Sequence, residues 1–258
     1  MNENNRVDQA FLDSSQYVES SILLYESIYG KDFVSPGGRD VAVEMIAKLQ
    51  LAPGARVLDV GCGLGGSAFV MAADFDLRVE GIDLSRNMLA LAQRKLAANG
   101  LADKVELRWG DCLDLQCEAR YDAVYSRDVF LHIAAKARLF QLLHAALKPG
   151  GRLLFTDYCC GPQPWGDAFA SYVESRGYTL CTVAQYSQLL SAAGFERVAA
   201  VDMTAQFVEL LGAELRGIDD LDLVAAERGK LRQSWQQKID RAVVGDQRWG
   251  LFTAFKTD

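Results

Sequence analysis

The segment VLDVGCGLGG at residues 57–66 places three glycines between a strand-like run and a helical pattern. Gly61, Gly63 and Gly66 fit G-x-G-x-x-G, in which glycine lets the backbone turn sharply and approach a ligand without a Cβ in the way. Asp83 follows about 20 residues later, where a carboxylate can accept hydrogen bonds from both hydroxyls of a ribose. This spacing predicts a site for a cofactor that contains a nucleoside.

Two further acidic residues distinguish between the possible cofactors. Asp59 precedes the glycines, where its charge would repel a pyrophosphate but can hold the ammonium of a methionine moiety. Asp111 can accept from an adenine amino group, and the N–H of Cys112 can donate to the ring. These features favour S-adenosylmethionine and a methyltransferase over NAD and an oxidoreductase. A nonspecific strand–turn–helix is the third interpretation, and Met88 either packs on adenine or belongs to the core.

Strand-like runs alternate with helical patterns, and the helical patterns include 87–98 and 135–147. The predicted strands are 56–60, 78–83, 104–109, 121–126, 152–158, 196–202 and 248–255. This alternation predicts an α/β fold with a parallel sheet and crossover helices. The last strand has no helix after it and can return antiparallel. A Rossmann-like, seven-stranded, mostly parallel sheet with helices on both faces would resemble that of the class I methyltransferases.

The N-terminal part is predicted to be helical. One helix is expected to be capped by Ser14 or Ser15 and to end at Gly30, and a second covers 41–49. Ligands of such sheets bind beyond the carboxyl ends of the strands, so segments outside the alternating pattern are well placed to cover the site.

One domain is expected, since 258 residues suit a single large α/β domain. Within it the prediction assigns 1–50 to an N-terminal helical lid, 51–158 to the cofactor-binding half, and 159–258 to substrate-binding insertions and the last strands.

Composition excludes several classes of protein. The net charge of -7 argues against sequence-independent binding of nucleic acid. The absence of a long apolar run predicts no membrane insertion, and the absence of an apolar signal sequence predicts a cytoplasmic protein. The six cysteines form no C-x-x-C pair and only two histidines are present, so no metal site is expected.

Motifs both inside and outside the cofactor half resemble those of the phosphoethanolamine N-methyltransferases. The matching motifs are FLDSSQY (11–17), YESIYG (25–30), SPGG (35–38), YSRDVFLH (125–132), TDYC (156–159), SRGYTL (175–180) and QRWGLF (247–252). The family methylates a phosphobase on the way to phosphocholine. The resemblance covers nearly the whole chain and weakens around 203–234.

The resemblance implies a role for each matching residue. Tyr17 and His132 match a hydrogen-bonded catalytic pair beside the methyl-accepting nitrogen, and Asp128 matches a residue that contacts the amine. The implied substrate-binding residues are Gln16, Tyr25, Tyr158, Arg176, Tyr178 and Lys238, of which the last four hold the phosphate. The cofactor-binding residues predicted from the loop and from the resemblance are Ser35, Asp59, Gly61, Gly63, Asp83, Leu84, Met88, Asp111, Cys112 and Arg127.

The resemblance therefore implies transfer of methyl groups from S-adenosylmethionine to phosphoethanolamine and its mono- and dimethyl forms, with S-adenosylhomocysteine as product. The alternative is a methyltransferase of the same fold that acts on another amine, a phosphonate or a sulfur compound. A small-molecule phosphobase is the expected partner, and the protein is expected to be a monomer.

Overall fold

A seven-stranded sheet forms the centre of the computed structural model, which describes residues 9–257. The strands are β1 Arg56–Val60, β2 Arg78–Asp83, β3 Val105–Trp109, β4 Tyr121–Arg127, β5 Leu147–Cys160, β6 Glu196–Asp202 and β7 Gln247–Phe255. Their order is β3-β2-β1-β4-β5-β7-β6, and β7 runs antiparallel to both β5 and β6. The predicted mostly parallel α/β sheet, with its antiparallel last strand, is confirmed.

Helices cover both faces of this sheet. They are α1 Gln9–Phe11, α2 Glu19–Tyr29, α3 Gly38–Lys48, α4 Gly66–Asp74, α5 Arg86–Asn99, α6 Lys136–Ala146, α7 Asp167–Arg176, α8 Val183–Ala192, α9 Thr204–Gly217 and α10 Ala225–Val244. Alternate residues of a strand point to opposite faces, so Leu154 of β5 joins one buried cluster while Leu153 and Phe155 join the other. No helix within residues 9–257 is long and apolar enough to cross a membrane.

The predicted strand boundaries agree closely with the structure except at β5. This strand begins at Leu147 and extends to Cys160, whereas the prediction was 152–158. Its first residue pairs with Tyr121 of β4, before a register shift interrupts the ladder. The Lys148-Pro149-Gly150 segment has the residues typical of a turn, so the local pattern did not predict this early pairing.

The N-terminal segment differs from the prediction of one helix capped by Ser14 or Ser15. A π-helical turn covers Leu12–Gln16, the backbone breaks at Tyr17, and α2 begins only at Glu19. The two serines cap nothing, because their hydroxyls donate back to the carbonyls four residues earlier. The capping prediction was therefore wrong, and Tyr17 lies at a break between two helical turns.

The divergent region around 203–234 belongs to the main core. Phe207 of α9 and Trp235 of α10 are almost completely buried. Both join the cluster that includes Trp249 of β7. Helices α9 and α10 therefore pack against the sheet as part of this core.

Candidate active site

All the predicted site residues line one cavity beyond the carboxyl ends of the parallel strands. Strand β1 leads into the glycine loop, and β2 ends at Asp83. Strand β4 ends at Arg127, directly before Asp128. Residues that were predicted from separate parts of the chain therefore face a common space.

The glycine loop and Asp83 are held together by backbone hydrogen bonds. Gly61 has φ +71°, and a Cβ there would come within 2.3 Å of Val129. The amide of Gly63 donates to Asp83 Oδ2 at 2.8 Å, and the amide of Ser85 donates to Oδ1 at 2.8 Å. Burial raises the pKa of Asp83 to about 6. The carboxylate is thus fixed in place at the cavity wall.

Asp59 is buried with an unsatisfied oxygen. Within residues 9–257 its Oδ2 has no hydrogen-bond partner. Burial, and then the charge of Asp83, raise the pKa of Asp59 to about 7, against the opposing effect of Arg127. An unpaired carboxylate in such surroundings is a suitable counter-ion for a bound ammonium group.

The third part of the predicted cofactor site lies after β3. Asp111 Oδ1 accepts from the amide of Leu113 at 2.8 Å, which fixes the turn that carries Cys112. Met88 is 2 % exposed and packs in a small cluster with Leu64. Met88 also lines the cavity, as does Leu84, so its core and ligand-facing interpretations are compatible.

Arg127 anchors the loop that carries Ser35. Its guanidinium donates to the carbonyls of Gly38 at 2.9 Å and Pro36 at 2.5 Å. Glu214 of α9 holds the same loop by accepting from the amide of Gly37 at 2.9 Å. Arg127 therefore acts on the cavity wall through these backbone contacts.

Tyr17 and His132 form the predicted hydrogen-bonded pair. The Tyr17 hydroxyl and His132 Nε2 are 3.1 Å apart. Burial lowers the pKa of His132 to about 4 and raises that of Tyr17 well above its ordinary value. At neutral pH the pair is therefore a neutral imidazole beside a protonated phenol.

Asp128 has one satisfied and one unsatisfied oxygen. Its Oδ1 accepts from Trp249 Nε1 at 2.7 Å and from Thr156 Oγ1 at 3.2 Å. Its Oδ2 is buried without a hydrogen-bond partner in the described part of the chain. The backbone at Asp128 has φ +56°, a strained conformation for a residue other than glycine. Trp249 and Thr156 thus leave one oxygen free for a ligand.

Cationic and phenolic side chains form the other end of the cavity. Lys238 Nζ lies 3.3 Å from the Tyr29 hydroxyl and 3.4 Å from the Tyr158 hydroxyl. Burial lowers the pKa of Lys238 to about 8. Gln16 Nε2 donates to the carbonyl of Arg176 at 2.9 Å, which ties the N-terminal turn to α7.

Sequence reasoning missed several residues that line this cavity or position its members. They are Tyr29, Tyr172, Ser234, Trp235, Arg241 and, behind Asp128, Trp249. Helical spacing in α10 could have indicated part of this set, since residues 234, 238 and 241 follow the i, i+4, i+7 pattern. Trp249 lies in the family-like QRWGLF motif, but a tryptophan in a strand normally indicates core packing.

The fold and the loop geometry define a class of protein. A family model described as a methyltransferase domain matches residues 57–151. A putative sarcosine dimethylglycine methyltransferase from Galdieria sulphuraria shares the fold with a TM-score of 0.79 at 19 % identity, over 93 % of this chain and 99 % of that one. The chain therefore has the Rossmann-like fold of the class I methyltransferases.

Relatives that match nearly the whole of this chain identify the family. The phosphoethanolamine N-methyltransferase of Plasmodium falciparum is 33 % identical over 98 % of both chains. Phosphoethanolamine N-methyltransferase 3 of Arabidopsis thaliana is 43 % identical over 98 % of this chain and 52 % of its own length. This chain belongs to the phosphoethanolamine N-methyltransferase family, and it spans about half the length of the plant relatives that it matches.

A solved structure agrees with this assignment. Phosphoethanolamine N-methyltransferase 2 of Haemonchus contortus, in complex with phosphomonomethylethanolamine and S-adenosylhomocysteine, superposes with a TM-score of 0.93. The two proteins are 32 % identical over 97 % of this chain and 60 % of that one.

Proposed function

We propose that this protein transfers methyl groups from S-adenosylmethionine to the nitrogen of phosphoethanolamine and of its mono- and dimethyl forms. The observation that carries the proposal is a single cavity with three chemically distinct parts. Carboxylates and a glycine loop line one part, a neutral Tyr17–His132 pair with Asp128 lies between, and Lys238 and Arg176 line the other end. The names of the Plasmodium and Arabidopsis relatives, and the ligands of the Haemonchus enzyme, support the same chemistry.

The residues of the glycine loop fit S-adenosylmethionine. The unpaired oxygen of Asp59 suits the ammonium of the methionine part, and Asp83 has carboxylate lone pairs beyond those used by Gly63 and Ser85 for ribose hydroxyls. Asp111 and the N–H of Cys112 are available to the adenine. When bound, S-adenosylmethionine supplies a methyl group carried on a sulfonium.

The accepting nitrogen must lose a proton, because an alkylammonium with a pKa of about 10 has no free electron pair at neutral pH. His132 can receive that proton on the ring nitrogen that carries no hydrogen, because burial keeps its imidazole unprotonated. The same burial makes the imidazole a weak base, so His132 can only relay the proton onward. Tyr17 holds the imidazole through the 3.1 Å contact to Nε2. We propose that this pair removes the proton before transfer, which frees the nitrogen lone pair that would take the methyl group as the C–S bond breaks.

Asp128 is proposed to orient the amine. Its unpaired Oδ2 can accept an N–H from the ammonium, while Trp249 and Thr156 hold Oδ1. A fixed carboxylate also stabilises positive charge that develops on the nitrogen during methylation. The cations at the opposite end would bind the phosphate of the same molecule, which sets the distance between the two ends of the acceptor.

The decisive test compares phosphoethanolamine with ethanolamine, using labelled S-adenosylmethionine and equal acceptor concentrations. Loss of a buried ionic contact costs about 2–5 kcal/mol, so we expect kcat/KM to favour phosphoethanolamine by roughly 30- to several-thousand-fold. Lys238→Met should remove much of that preference. Lys230→Met is the matched control, because Lys230 is an exposed lysine on the same helix. Equal rates with both acceptors in the wild type would refute the assignment of a phosphobase substrate.

Cytoplasmic location and a monomeric state are part of the same proposal. They rest on the sequence alone, and cell fractionation and light scattering of the purified protein would test them.

A further inference from the structure

Arg241 lies at the cationic end of the cavity. It projects from α10 one turn after Lys238 and lines the cavity together with Arg176. Its Nε donates to Gln247 Oε1 at 3.1 Å, and Gln247 is only 1 % exposed. Its guanidinium carbon lies 3.9 Å from the centroid of the Tyr172 ring. These contacts fix the orientation of the side chain before any ligand binds.

Three cations therefore surround one end of the cavity without ionic partners. Within residues 9–257, no carboxylate lies within salt-bridge distance of Arg176, Lys238 or Arg241. Glu214 and Asp128 are carboxylates whose charges act on Lys238, but neither forms an ion pair with it, and Glu214 accepts from the Gly37 amide and from a tryptophan N–H. Like charges close together in a partly desolvated site repel one another, so this arrangement is unfavourable without an anion.

The number of charges on the anion determines how strongly these three cations attract it. The Coulomb energy between an anion and fixed cations is proportional to the charge of the anion, so a dianion gains about twice as much as a monoanion from each added cation. A phosphate monoester carries close to two negative charges above its second pKa of about 6. A sulfate monoester of the same shape carries only one.

We propose that Arg241 is a third cationic ligand of the acceptor's anionic group, and that it selects doubly charged over singly charged esters. This inference rests on the proposed function, which requires an anion at this end of the cavity. Gln247 and Tyr172 position the guanidinium by holding its Nε and one face. The outer N–H groups are then directed to the ligand, as the planar fork of arginine favours.

The test measures kcat and KM for phosphoethanolamine and for its monoanionic analogue, ethanolamine O-sulfate. Arg241→Gln should raise KM for phosphoethanolamine by about 30- to 1,000-fold, with kcat within about threefold of wild type. Half the Coulomb energy corresponds to the square root of the fold-change, so KM for the sulfate ester should rise by only about 5- to 30-fold and the preference for the phosphate ester shrinks. Arg232→Gln is the matched control, because Arg232 lies on the same helix and pairs with Asp219 at the surface.

Arg241→Lys separates charge from packing. It retains the positive charge but loses the stacking on Tyr172, so the preference for the phosphate ester should persist at reduced affinity. An unchanged preference in Arg241→Gln, or an equal loss of preference in both variants, would overturn the inference. Failure of wild-type protein to methylate phosphoethanolamine would instead overturn the proposed function. Unchanged affinity for S-adenosylhomocysteine in each variant verifies that the cofactor site is intact.

Discussion

Burial determines the protonation states of Tyr17 and His132. An isolated histidine titrates near pH 6.5, but burial lowers the pKa of His132 to about 4. Its imidazole is therefore uncharged at neutral pH, with a single N–H. An unprotonated imidazole has a free ring nitrogen for a proton from the ammonium of an acceptor, although a pKa of about 4 makes it a weak base for that proton. Tyr17 contributes orientation rather than charge, because burial opposes its ionisation.

At the residue scale we therefore predict that His132→Ala lowers kcat by about 10²–10⁴-fold, the usual contribution of a positioned acid–base group. Tyr17→Phe should slow turnover less, since the imidazole remains in place. Calorimetry should give unchanged affinity for S-adenosylhomocysteine in both variants. Wild-type kcat in both would show that another group removes the proton, and Asp128 would be the next candidate.

The N-terminal segment is the element that joins the two halves of the cavity. Asn87 of α5 donates through Nδ2 to the carbonyl of Tyr17 at 2.9 Å, while Gln16 contacts the carbonyl of Arg176. Lys95 of α5 also pairs with Glu26 of α2. The segment is thus held by side-chain contacts from the cofactor side and from the substrate side, and it is not part of the sheet.

At the element scale we predict that residues 12–29 act as a lid. Hydrogen exchange of this segment should be fast in the free protein, slower with one ligand, and slowest with S-adenosylhomocysteine and phosphoethanolamine together, since each ligand would contact one side of it. Peptides from β4 serve as the internal control, because that central strand should be protected throughout. Equal protection with and without ligands would identify the segment as a fixed wall.

At the scale of the whole molecule, Asp157 introduces a pH dependence into stability. This carboxyl is completely buried in β5 and accepts a hydrogen bond from the Tyr186 hydroxyl. Burial raises its pKa to about 7, although Tyr186 and the nearby Lys136 act in the opposite direction. The folded protein therefore holds a proton here that the unfolded chain releases near pH 4.

Proton linkage determines whether the free energy of unfolding rises or falls with pH at this site. Because the folded state binds more protons at this site, its contribution to stability is present at low pH and is lost as pH rises toward and through 7. Between pH 5 and 8 the free energy of unfolding of the wild type should fall by about 2–3 kcal/mol relative to Asp157→Asn. Urea titrations at several pH values measure this difference. Asp220→Asn, at an exposed carboxylate, should show no such trend, and a parallel pH profile for Asp157→Asn would contradict the prediction.

Much of the fold and of the cofactor loop could be predicted because their signals are local. Strands β1, β2 and β6 begin and end where the pattern indicated, since short apolar runs and flanking turns are properties of short stretches of sequence. Gly61 and Asp83 were found for the same reason, because a sharp turn after a strand requires glycine and the next strand ends at a regular distance. Family motifs extended this prediction to side chains in distant segments.

Only the tertiary structure decided how those distant side chains meet. The free oxygen of Asp128 depends on Trp249, which lies more than a hundred residues away and on an antiparallel strand. The gathering of Arg241 with Arg176 and Lys238 depends on the contact between Arg241 of α10 and the Tyr172 ring of α7, which no local periodicity encodes. The break at Tyr17 is held from outside its own segment, because Asn87 Nδ2 of α5 donates to the Tyr17 carbonyl. Such contacts are selected by the packing of the whole chain, because their energies are small until burial removes the competing water.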